Sequence, residues 1–161
     1  MTPRDTVNGW LKELSRKSGI DLTLDENDAC ALRYGENLEC MIELPDQSSV
    51  VFLSANILNV ARLETEQRAT LYERLLQLNY YCLETGGATF ALDTKAGRAI
   101  LCYGQPIGTI DAPAFENLLG NFLETAEKWR SELSGVKAGK PEEEKPMEEG
   151  ADSLRFIQFK A

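Results

Sequence analysis

A leucine-rich run, Leu75-Leu76-Gln77-Leu78, ends at Asn79-Tyr80-Tyr81, and Gly86-Gly87, Thr89-Phe90-Ala91-Leu92-Asp93 and, after Gly97, Ala99-Ile100-Leu101 follow it. Leu71, Leu75 and Leu78 recur at helical spacing. With Ala69, Tyr72 and Leu76 they predict a helix from about Thr65 whose apolar surface is broad enough to be buried on two sides. The paired glycines break it, and the two β-rich arms around Thr94-Lys95-Ala96-Gly97 predict a hairpin. Phosphate cradles run from a strand through glycines into a helix, and the order here is the reverse, so Gly86-Gly87 reads as a helix stop. The segment holds no obvious nucleophile or metal cluster and is a binding signature rather than a catalytic one.

The flanking sequence supplies the rest of an α+β domain. Thr2-Pro3-Arg4-Asp5 offers a capping hydroxyl, a proline for the first helical position and an acid in the first turn. Val7, Trp10, Leu11 and Leu14 then share one helical face up to Gly19. Ile20, Leu22 and Leu24 alternate with polar residues, and after an Asp25–Asp28 turn the alternation resumes from Ala29 to Tyr34. Leu38–Leu44 and Val50–Ala55 are further strands, separated by Gly35-Glu36-Asn37 and Pro45-Asp46-Gln47-Ser48, which makes a three-stranded antiparallel meander. Asp111 and Pro113 open a last helix with apolar positions at Phe115, Leu118, Leu119, Phe122, Leu123, Ala126, Trp129 and Leu133. The predicted order is helix, three strands, helix, two strands, helix over residues 1–134.

The chain's 161 residues suffice for one such domain plus an appendage. From residue 135 to 161 Lys, Glu, Gly and Pro dominate, so this stretch reads as an acidic tail with a short apolar cluster at Leu154, Phe156, Ile157 and Phe159. Its glutamates lack the converging loop of a cation site and read as solvated charge. A net charge of −9 argues against nucleic acid and anionic membrane, because both require Lys and Arg to neutralise phosphates. Tyr80-Tyr81 and Trp129-Arg130 therefore read as packing rather than base stacking. With no histidine, the commonest general base and metal ligand are missing. No enzyme, metal or cofactor is expected; a small carboxylate-dependent enzyme would need a pocket with paired acids. Cys30, Cys40, Cys82 and Cys102 form no CxxC pair and read as reduced, mostly buried thiols, with two disulfides or a scattered metal site as the alternative. No apolar run reaches the roughly 18 residues of a membrane span, and a cytoplasmic location is expected.

In this order and spacing, the chain resembles the class I type III secretion chaperones, the family that includes the Tir chaperone. The resemblance covers about Val7 to Leu133. It is carried by Leu22-Thr23-Leu24-Asp25-Glu26-Asn27, Leu75-Leu76-Gln77-Leu78-Asn79, Gly87-Ala88-Thr89-Phe90-Ala91-Leu92-Asp93 with Gly97 and Ile100-Leu101, and Phe122-Leu123-Glu124-Thr125-Ala126-Glu127-Lys128-Trp129. It implies a cytosolic homodimer that holds the amino-terminal segment of one or more secreted effectors in extended form and presents it to the export apparatus, with the export ATPase or another component as a further partner. It places the dimer seam on Leu71, Leu75, Leu78, Phe90 and Leu92. It places effector contacts on Trp10, Leu11, Leu14, Leu22, Leu24, Leu32 and Met41, together with strand addition at an exposed sheet edge. The alternative is a regulatory module that sequesters a small non-secreted regulator of the secretion system with the same surfaces.

Overall fold

The computed structural model describes residues 1–135. The Leu154–Phe159 cluster and the rest of the tail from residue 136 onward lie outside the described residues. Helix α1 spans Pro3–Ser18. Its start is satisfied reciprocally: the Thr2 hydroxyl accepts the Asp5 amide at 3.1 Å, and the Asp5 carboxylate accepts the Thr2 amide at 2.9 Å. Gly19 ends the helix at φ 72°, a left-handed conformation that costs glycine little. Strands β1 (Ala29–Tyr34), β2 (Leu38–Glu43) and β3 (Val50–Asn59) form the expected antiparallel meander. Helix α2 (Thr65–Asn79) leads to the hairpin of β4 (Thr89–Asp93) and β5 (Arg98–Pro106). Helix α3 (Ala112–Ser134) begins where the Asp111 carboxylate accepts the Ala114 amide at 2.9 Å.

The hairpin joins the meander through β5, giving one five-stranded antiparallel sheet in the order β1-β2-β3-β5-β4. Its register aligns Leu32, Cys40, Ala55, Leu101 and Phe90, one residue from each strand, in a single buried row. Helix α3 lies across β3 and β2, α1 packs on α3, and α2 packs against β4. All three helices therefore lie on this inner side or beside it. The core joins Trp10, stacked on Phe115 at 4.9 Å, to Trp129, whose ring meets Phe90 edge-on at 6.1 Å. Each such buried side chain contributes about 1.5–3 kcal/mol by leaving water.

Three details depart from the sequence expectation. Ile20–Leu24 alternates in burial yet is no strand, because its backbone bonds to α1 side chains instead of a ladder. The Leu22 amide donates to Ser15 Oγ at 2.9 Å and the Leu24 amide to Asn8 Oδ1 at 2.9 Å. Strand β3 runs on past Ala55 through an irregularity between Asn56 and Leu58, which turns both Ile57 and Leu58 inward. Strand β5 extends to Pro106 as its partner. The four cysteines are free thiols, Cys30 and Cys40 buried and Cys82 and Cys102 half-buried. Burial pushes the Cys40 thiol up to about 12.

Candidate protein-binding site

A five-stranded open sheet has two edges, and this chain treats them differently. At β4, the side chain of Asn79 imitates a neighbouring strand: its Oδ1 accepts the Phe90 amide at 2.7 Å and its Nδ2 donates to the Phe90 carbonyl at 3.0 Å. The last residue of α2 thus blunts that edge. At β1, the Leu44 amide bonds to the Asp28 carbonyl at 2.9 Å, so the even-numbered residues of β1 face β2 and Ala29, Ala31 and Arg33 direct their backbone groups outward. Ala29 is closed off by Asp25, whose amide donates to its carbonyl at 2.8 Å and whose carboxylate accepts its amide at 3.0 Å. The outward backbone groups of Ala31 and Arg33 have no partner among the described residues.

Beside this open edge runs a groove of about 700 Å³. Ile20, Leu22, Ala31, Leu32 and Met41 supply apolar walls, and Asp21, Arg33, Glu39, Asn56 and Arg98 supply polar ones. Glu39 ties the polar side together, accepting from Asn56 Nδ2 at 3.1 Å and pairing with Arg98 at 3.6 Å. The groove opens onto the sheet face that no helix covers. There Ala31, Met41, Ser54, Cys102 and Thr89 align across the five strands. Phe52 lies on the same face, 39% exposed, over Gly104; a Cβ on that glycine would come within 3.0 Å of the ring.

A second apolar surface faces outward from α2 and the turn after it. Leu76, Tyr80, Tyr81 and Leu83 are each more than two-thirds exposed, and Leu92 of β4 is 42% exposed. Tyr81 and Cys82 hold left-handed φ values of 59° and 51°. Trp129 anchors this turn from below, donating Nε1–H to the Glu84 carbonyl at 3.1 Å.

The expected site residues divide accordingly. Leu22, Leu32 and Met41 meet in the groove. Trp10, Leu11, Leu14 and Leu24 do not: their side chains are closed into the core, with Leu11 at 0% and Leu14 at 1% exposure, so direct cargo contact is corrected to core packing for them. Leu71, Leu75, Leu78 and Phe90 are likewise inside the single chain. Only Leu92 of the expected seam is available to a second copy, because the 71/75/78 stripe is the face α2 turns to its own core. Ile20, which lines the groove, and the exposed Phe52, Tyr80, Tyr81 and Leu83 are not among the site residues expected from the sequence. Leu76 and Tyr80, four apart on the opposite helical stripe, were the legible signal for the outward surface. Among the described residues no three or more Cys, Asp or Glu side chains converge as a metal site, and no helix is long and apolar enough to cross a membrane.

Comparison with known proteins bears on these surfaces. The model of the Tir chaperone protein (CesT) family matches residues 9–130. A chain of the ExsC–ExsE complex superposes with a TM-score of 0.73 at 22% identity, over 87% of this chain and 100% of that one. The HopA1–SchA chaperone–effector complex gives 0.64 at 16% identity, over 78% and 94%. The ExoU–SpcU complex from the type III secretion system of Pseudomonas aeruginosa gives 0.60 at 19% identity, over 83% and 99%. A search of curated proteins finds no match.

Proposed function

Because the chain belongs to the Tir chaperone protein (CesT) family, whose type III secretion chaperone fold it shares, we propose that it holds the amino-terminal segment of a secreted effector as an added strand on β1. The unpaired backbone of Ala31 and Arg33 beside an apolar groove is the observation that carries this reading. An extended chain completes the backbone hydrogen bonds of such an edge while alternate side chains enter the groove. Ile20, Leu32 and Met41 supply its apolar contacts, and Asp21, Arg33 and Glu39 select among polar ones. The chain works in the cytoplasm, where effector segments await export. Two copies join through Leu76, Tyr80, Tyr81, Leu83 and Leu92, exposed apolar and aromatic side chains of the kind that mark protein interfaces. Limited proteolysis of effector amino-terminal segments with and without the chain tests the function. Protection of one segment, with ordering of the Ala31 and Arg33 amides, is the expected result. Unchanged digestion across every effector of the same cell, with recovery of only a non-secreted regulator, refutes it and favours sequestration.

A further inference from the structure

The open length of β1 is short. Asp25 closes Ala29 at one end, and at the other Gly35 turns away at a left-handed φ of 57°. An added strand therefore pairs with Ala31 and Arg33 alone, and its side chains carry the rest of the recognition. In antiparallel pairing the residues opposite Ala31 and Arg33 lie two apart and share their outer face, with opposed Cβ atoms about 4.5–5.5 Å apart. On the far side of β1, the half-buried Met41 opposes Ala31 and Glu39 opposes Arg33. A large apolar side chain at the first position reaches over the small Ala31 to Met41. The residue between the two points inward, as the buried Leu32 does.

The second position faces Arg33, and the charges around it decide what it can be. Two acids, Asp21 and Glu39, and two bases, Arg33 and Arg98, line the groove, so net charge selects nothing. Glu39 and Arg98 answer each other at 3.6 Å, and Glu39 also holds Asn56. Arg33 is exposed and forms no ion pair among the described residues. An acid opposite Arg33 stands two strand spacings from Glu39, about 10 Å, farther than the roughly 8 Å screening length at physiological salt. Glu36, in the turn past Gly35, does not line the groove. Asp21 reaches the groove from the inner side: burial first, and then the Asp25 and Asp21 carboxylates, push up the thiol of Cys30, an inner-face residue. It works against an acid at the inward position.

We propose that the strand this edge accepts carries an acidic residue against Arg33 and a large apolar residue two positions away against Ala31, with a non-acidic residue between them, an inference that rests on reading the β1 groove as the cargo site. A one-residue slip turns the acid inward toward Leu32 and Asp21, and a two-residue slip sets it against Ala31 and Met41. Neither place holds a cation, so the one ion pair fixes the register of a ladder too short to fix its own.

Selection of 12-residue peptides from a random displayed library by the full chain, followed by fluorescence anisotropy of the selected peptides, tests this. Asp or Glu should be enriched two positions from a large apolar residue. Arg33→Glu should weaken such a peptide about five-fold, by losing an exposed ion pair and gaining a like-charge contact. Replacing the peptide's acid by Lys should restore binding to Arg33→Glu, and added salt should narrow the difference. Thermal unfolding checks that the exposed substitution leaves the fold intact. Peptides without the acid, or equal binding to Arg33→Glu, overturn the proposal; if Ala31→Pro still abolishes their binding, the edge reading stands alone. Acid-bearing peptides that ignore Ala31→Pro overturn both, as does the absence of any enrichment. Binding that weakens as the chain is concentrated assigns the edge to a second copy and also overturns the proposal. Acid-bearing peptides that add to the edge, while no effector segment is protected from protease, leave the edge chemistry standing and refute the cargo reading.

Discussion

Ala31→Pro is the sharpest test of strand addition at β1. The Ala31 amide points away from β2, so proline removes no ladder hydrogen bond, and an edge position is one of the few places in a sheet where it is tolerated. The side chain lies on the outward face, where the ring meets no core atom. An incoming strand would lose the amide donor at Ala31 and be pushed off by the ring carbon that replaces it. One net hydrogen bond is worth about 0.5–1.5 kcal/mol. With the distorted carbonyl partner beside it, the loss should be about 1–2 kcal/mol, or roughly five- to thirty-fold in Kd. Fluorescence anisotropy with a labelled effector segment reads the affinity, and thermal unfolding checks the fold. Leu32→Pro is the contrasting case, because its backbone faces Cys40 of β2 and its loss should destabilise the domain itself. An Ala31→Pro variant that keeps its Tm and binds within two-fold of the parent would refute edge addition.

Three further outcomes follow from particular contacts. Leu76→Asp/Tyr80→Ser should leave the fold intact and yield monomers in sedimentation, since both side chains are exposed in the single chain, whereas Leu75→Asp should unfold the domain, because an unpaired charge in its core costs about 3–5 kcal/mol. Asn79→Leu deletes two hydrogen bonds to Phe90 and bares the β4 edge, so it should lower stability by about 1–3 kcal/mol in urea unfolding and raise light scattering on concentration. Cys40 holds its proton more tightly folded than unfolded, its pKa lying at about 12 against an ordinary 9.0 through burial and then the nearby Glu127 carboxylate. The unfolded thiol ionises first, so its contribution is complete below pH 9 and is lost as pH rises toward about 12; urea titrations from pH 8 to 11 should fall less steeply for Cys40→Ala than for the parent.

Periodicity, caps and glycines act between residues a few positions apart, so the helices and the five strands were legible. Thr2 and Asp5 start α1, Gly19 ends it, Asp111 starts α3, and the hairpin closes where Thr94–Gly97 turns. The candidate groove was legible only in part. Leu22, Leu32 and Met41 reach the groove, but Leu11, Leu14, Leu71, Leu75 and Leu78 carry the same apolar signature and are core. Periodicity finds an apolar stripe without telling which other element covers it.

Local residue patterns were enough for the α+β element order, for the acidic character that argues against polyanion partners, and for the family. Which edge and which face stay open emerged only from the assembled sheet. Inserting β5 between β3 and β4 makes β1 and β4 the edges, and Asn79, eleven residues before Phe90, then closes one of them. Backbone parity set by the Asp28–Leu44 bond leaves Ala31 and Arg33 unpaired at the other. These are long-range pairings, settled by where the whole core collapses, and no local pattern of residues encodes them.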